Sequence, residues 1–158
     1  MKWGVRKANK SLNKASKYAS KSSKSTSKAT KLTKKASKST KKAAKLTSLA
    51  SKTTDESKKT SYTKKATNLT NKAEKYTTKA SKYNEKATKY YAKASSKYAT
   101  GAKVTSKLVN KYSKMSTSSV SDLNEQGNYK STVDALLLKV GTTGASVTSA
   151  GISRLTSA

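Results

Sequence analysis

Small apolar residues recur at every seventh position along the first hundred residues. Taking the alanine of the stretch KASKYNE as position a, the first block reads Ala8, Ala15, Ser22, Ala29, Ala36, Ala43 and Ala50. The register then slips by two and resumes with Ala66, Ala73, Ala80, Ala87 and Ala94. Three residues after each a, position d carries Ser11, Tyr18, Ser25, Leu32, Ser39, Leu46 and Thr53 in the first block. In the second block it carries Tyr62, Leu69, Tyr76, Tyr83 and Tyr90, which form the candidate packing set. An odd period would scatter these residues over both faces of a strand, whereas on a helix a and d share one stripe. Alanine and lysine favour helix, and no proline interrupts the pattern. The expected fold is mainly α: elongated, amphipathic heptad-repeat helices, either continuous, folded into a hairpin or paired as a coiled coil.

Local signals divide the chain. Residues 1–6 stand apart from the repeat, and two heptad helices are predicted over 7–53 and 54–100. Between them TTDE, Thr53 to Glu56, fits a capping box in which Thr53 caps the second helix and Glu56 reaches back. Gly101 is expected to end or kink that helix. A short amphipathic helix over 101–118 follows, with Val104, Leu108, Val109, Tyr112 and Met115 on one face. The segment 119–158 is neutral and carries a predicted short helix near 129–140. Its apolar face is Tyr129, Val133, Leu136, Leu137 and Val140, with Gly141 as the stop and TTGASVTSAGIS extended beyond it. That face suits two uses: folding onto the body, or docking on a capsid, portal or other virion protein.

Lysine is as periodic as alanine. The candidate anion-binding set in the first block is Lys7, Lys10, Lys14, Lys17, Lys21, Lys24, Lys28, Lys31, Lys35, Lys38, Lys42, Lys45 and Lys52. In the second block it is Lys65, Lys72, Lys75, Lys79, Lys82, Lys86, Lys89 and Lys93. All occupy positions g and c, which lie within about 40° of each other on a helix. The chain has 36 Lys+Arg against 7 Asp+Glu, a net charge of +29, and all of that excess falls before residue 116. Like charges at i,i+3 and i,i+4 cost roughly 0.2–0.5 kcal/mol a pair, so such a stripe opposes its own helix by several kcal/mol. A polyanion removes that penalty, and the free chain is expected to be partly disordered.

Nucleic acid is the polyanion that fits best. Lysine binds phosphate as a point charge, and the arginines that read bases are reduced to Arg6 and Arg154. Binding through the phosphate backbone, without sequence preference and with strong salt dependence, is the expectation. Tyrosines could stack on single-stranded bases, but at d spacing they are better suited to packing between helices. A structural coiled coil, with the chain forming a homo-oligomer, is a second reading, although serine at d and the lack of acids opposite lysine weaken it. Adsorption to an anionic membrane is a third, limited by the thin apolar face.

Chemistry is hard to place in this sequence. Histidine and cysteine are absent, so neither a metal site nor a cofactor is expected. Ser-x-x-Lys recurs, as at Ser11–Lys14 and Ser25–Lys28, but follows from composition alone. GAKVTSK at 101–107 lacks the second glycine of a phosphate loop. The longest strongly apolar run is ALLLKV, residues 135–140, far short of a membrane span, and no apolar stretch follows the basic start to make a secretion signal.

The head carries one resemblance. MKWGVRK, Met1 to Lys7, resembles the Lys-Gly-Met-Lys-Trp-Gly-Val-Arg-(Arg/Lys) segment of tailed-phage structural and head-morphogenesis proteins. It covers seven residues, without the His-Gly-Ile-Lys-Gly portion that usually precedes it. The resemblance implies a virion component, assembled in the host cytoplasm. A lysine-rich chain of that kind would lie inside the head with the packaged genome.

Overall fold

A computed structural model describes residues 2–157. It contains three helices and, among the described residues, no strand: α1 Lys2–Lys52, α2 Glu56–Ser113 and α3 Val120–Ser157. The chain divides into two compact units, one built from Met1–Ser23 with Ala87–Thr156 and the other around Lys24–Lys86.

The predicted stripe is the seam. Every alanine at a is buried, from Ala8 and Ala15 at 0% exposed to Ala36 at 8%. Within Lys24–Lys86 the end of α1 and the start of α2 run antiparallel, since Lys28 lies over the Tyr83 ring and Lys35 over the Tyr76 ring. That register sets the small Ser25 level with Tyr83 and Leu32 level with Tyr76, so large residues face smaller ones. Serine at d, which looked like a gap in a seam, makes room for a ring from the facing helix. Threonines one turn after each alanine close their own polar accounts: Thr33, Thr40, Thr47, Thr70 and Thr77 donate to the carbonyls of Ala29, Ala36, Ala43, Ala66 and Ala73.

The break near residue 53 is present, but its cap is a different residue. Asp55 Oδ1 accepts from the backbone N–H groups of Ser57 at 2.9 Å and Lys58 at 3.2 Å. Thr53 Oγ1 instead accepts from the Asp55 N–H. A carboxylate next to the first turn meets both free amide groups and the positive end of the helix dipole, which a hydroxyl two residues earlier cannot reach. Asp55→Ala is therefore expected to cost about 0.5–2 kcal/mol. Amide exchange of Ser57 and Lys58 would report it, rising while exchange at Ala80 is unchanged.

In the other unit the seam continues with different residues. Ser22, the one exception to alanine at a in the first block, donates its hydroxyl to the Ala87 carbonyl at 2.8 Å. Tyr18 and Tyr90 stack with ring centroids 6.3 Å apart. The expected stop at Gly101 does not occur, and α2 runs on to Ser113 without any residue at positive φ. Gly101 and Leu108 are the next two a positions after Ala94, and both are buried. The glycine is there for proximity: a Cβ on Gly101 would sit 2.7 Å from Cγ and Cδ2 of Leu12, which is itself 0% exposed. Likewise, residues 2–6 of the expected separate head do not stand apart. Lys2 to Arg6 form the first turns of α1, Val5 packs in the core, and Gly4 faces Leu108. Met1 lies outside the described residues, as does Ala158.

The neutral segment differs most from expectation. In place of a short helix near 129–140 and an extended end, α3 spans 38 residues and passes through Gly141, Gly144 and Gly151. A Cβ on Gly144 would approach the Tyr98 hydroxyl to 2.7 Å, and one on Gly151 would approach Tyr91 Cε2 to 2.8 Å. Gly144 and Gly151, expected in an extended segment, are therefore helical seats for tyrosine rings. Of the two uses that the segment's apolar face suits, folding onto the body takes most of it: Tyr129, Val133 and Leu136 are buried against Ala8 and Leu108. Val140 is half-buried and only Leu137 is exposed. α3 starts on a capping box, with Ser119 Oγ accepting from the Asp122 N–H at 3.0 Å. Hydroxyls of Ser116 and its neighbours Ser119 and Ser118 hold the Asp122 carboxyl below its ordinary range.

Candidate nucleic-acid interface

A lysine at g lies beside the d residue of its own seam, while c and f face away from it. The structure separates the two classes that the sequence had merged into one stripe. Ammonium groups at g lie over tyrosine rings. In Lys24–Lys86, Lys28 and Lys86 both sit 5.4 Å from the Tyr83 centroid, and Lys35 sits 5.9 Å from that of Tyr76. In the other unit, Lys21 lies 6.0 Å from the Tyr18 centroid and 5.5 Å from that of Tyr90, and Lys93 lies 5.6 Å from Tyr18. Each contact places a cation against the negative face of a ring. Position g thus carries charge and at the same time closes the edge of the seam.

The c lysines meet no such partner. Lys24, Lys31, Lys38, Lys45 and Lys52 on α1, with Lys75 and Lys82 on α2, are exposed. Lys10, Lys17 and Lys89 are exposed in the other unit. Of the 21 lysines singled out from the sequence, Lys21 alone is half-buried. The heptad count overlooked Lys34, Lys41 and Lys64, which occupy f beside c and are equally exposed. Their signal was in the chain all along, since f lies only about 60° from c on a helix.

Carboxylates do little to balance this charge. The segment Lys24–Lys86 holds nineteen lysines against Asp55, Glu56, Glu74 and Glu85. Among the described residues the one ion pair is Lys130–Asp134, 3.0 Å apart on α3, in the neutral part of the chain.

The candidate packing residues Tyr62, Leu69, Tyr76, Tyr83 and Tyr90 are all half-buried at the seam. The Tyr76, Tyr83 and Tyr90 rings each carry a lysine over one face, which competes with base stacking there. Tyr91 is covered too, by the Arg154 guanidinium at 5.0 Å. Among the described residues no helix is long and apolar enough to cross a membrane. No known protein family, characterised protein or solved structure matches the chain.

Proposed function

We propose that this chain is a non-enzymatic nucleic-acid-binding protein that engages the phosphate backbone without reading sequence. One observation carries the reading: rows of exposed lysines at c and f, on helices whose seams are already closed, with almost no carboxylate beside them. Such rows favour an extended polyanion, because each ammonium can displace a condensed counterion from a phosphate. The side chains that discriminate bases are not arranged along these rows, so specificity has no source there. The resemblance of the head segment MKWGVRK to the tailed-phage segment supports a setting inside a phage capsid, where the protein would neutralise packaged DNA.

Fluorescence anisotropy with labelled duplexes across a salt series tests this. Two unrelated duplexes should bind with equal affinity, and log K should fall against log salt with a slope near −9 if about ten phosphates are neutralised. Absence of binding at low salt, or a slope near zero, removes the proposal.

A further inference from the structure

The glycines fall into two groups. Gly4, Gly101, Gly144 and Gly151 each have a side chain close to where a Cβ would stand, whereas Gly127 and Gly141 have nothing within 4 Å. A glycine inside an exposed helix lowers its stability relative to alanine, and nothing in the chain's own packing accounts for these two. Both lie on one strip of α3. At about 100° per residue, that strip also holds the exposed aliphatic residues Val120, Leu123, Leu137, Leu138, Ile152 and Leu155, all within roughly a quarter to a third of the helix circumference. These six are 47–75% exposed. The strip is separate from the buried face formed by Tyr129, Val133 and Val147.

The strip is also palindromic. Laid antiparallel on a second copy about an axis between Leu137 and Leu138, Val120 meets Leu155, Leu123 meets Ile152, and Leu137 meets Leu138. The positions between them alternate in size. Gly127 falls opposite Thr148, Lys130 opposite Ala145, and Asp134 opposite Gly141. The exposed Lys130–Asp134 pair, which interrupts the aliphatic strip, thus finds an alanine and a glycine of the other helix across from it. Small residues at such points let two helix backbones approach closely.

We propose that the outer face of α3 is an isologous, antiparallel interface with a second copy of this chain. Charge favours the same occupant. Asp122, Glu125 and Asp134 balance Lys130, Lys139 and Arg154 on α3, whereas the rest of the chain carries the whole +29. Two copies can therefore approach through α3 with the least repulsion. The six aliphatic side chains offer roughly 600 Å² per copy, so a pair buries on the order of 1,200 Å², the lower edge of stable specific interfaces. A twofold axis gives this surface to both partners. A lipid surface fits less well, because the ion pair would have to enter it at the middle of the strip. The inference is independent of nucleic-acid binding, and its test contains no nucleic acid.

The full chain has no cysteine, so single cysteines report proximity directly. Sedimentation of the wild type in about 0.5 M salt, which screens the lysines, should show a dimer. Leu138→Glu places two carboxylates at the axis and should weaken association roughly tenfold or more with an unchanged circular dichroism spectrum. Gly141→Leu, which meets open space in the single chain, should weaken it similarly. Mixing Val120→Cys with Leu155→Cys should give a disulfide-linked pair under mild oxidation, while neither variant alone does. The proposal is overturned if the wild type stays monomeric up to about 100 µM, including the case where it binds anionic vesicles instead. It is equally overturned if Val120→Cys links efficiently to itself, or if Leu138→Glu leaves the dimer intact.

Discussion

Replacing Lys24, Lys31, Lys38, Lys45, Lys75 and Lys82 together with glutamine should lower duplex affinity by about four orders of magnitude near 0.1 M salt. The salt slope should become shallower by about 5, close to 0.9 for each lost phosphate contact. Glutamine preserves helix propensity, and these six side chains are exposed and take no part in the cation–ring contacts at g, so the fold is expected to survive. Thermal stability should even rise slightly, because each substitution relieves repulsion with g lysines three and four residues away. The matching g set, Lys28, Lys35, Lys42, Lys72, Lys79 and Lys86, should behave differently. Three of its members cover the Tyr76 and Tyr83 rings, and each contact contributes about 0.5–1 kcal/mol at an exposed site. Glutamine there should lower the melting temperature as well as the affinity. Anisotropy and circular dichroism melts on the two variants separate these outcomes. If the c variant binds with unchanged affinity and slope, the outward rows are not the binding surface.

The division between c and g shows what was legible in the sequence and what was not. Periodicity alone identified the helices, the alanine seam and the tyrosines at d, because burial at a seven-residue spacing has few other solutions. It also located the break, where a two-residue slip in the heptad coincides with the helix-start signal TTDE. The failures have one physical origin: glycine. Gly101 and Gly141 each carry the local signal for a helix end, the commonest meaning of glycine, and the segment holding Gly144 and Gly151 reads as extended. At Gly101, Gly144 and Gly151 its tertiary meaning governs, because a missing Cβ lets Leu12, Tyr98 or Tyr91 approach a helix that continues past it. Only the facing residue distinguishes the two meanings, and that residue lies some 50 to 90 positions away in sequence. The full length of the tail helix was not legible for a related reason, although folding onto the body was one of the two uses its apolar face suits. Its apolar face matched Ala8 and Leu108, a surface assembled only once α1 and α2 are paired. Likewise, nothing local indicates that a lysine at g will rest on a ring contributed by another helix.

The deepest of these contacts sets the largest expected loss of stability. Gly101→Ala adds a methyl group 2.7 Å from two carbons of Leu12, a side chain with no exposure and hence no free space to retreat into. Helix propensity favours the change by up to about 1 kcal/mol, but overpacking a filled site costs about 1–3 kcal/mol, so the net effect is destabilising. Leu12→Ala empties the same space and should cost about 2–5 kcal/mol. The double variant discriminates between contact and mere proximity. If Gly101 exists to admit Leu12, the new methyl partly refills the cavity, and the two losses add to well below their sum. Urea denaturation of the four chains completes the cycle. A coupling indistinguishable from zero would mean that the glycine serves some other purpose. A favourable coupling of about 1 kcal/mol or more would fix the pairing of α1 with α2 at this level, and with it the register that turns every c lysine outward.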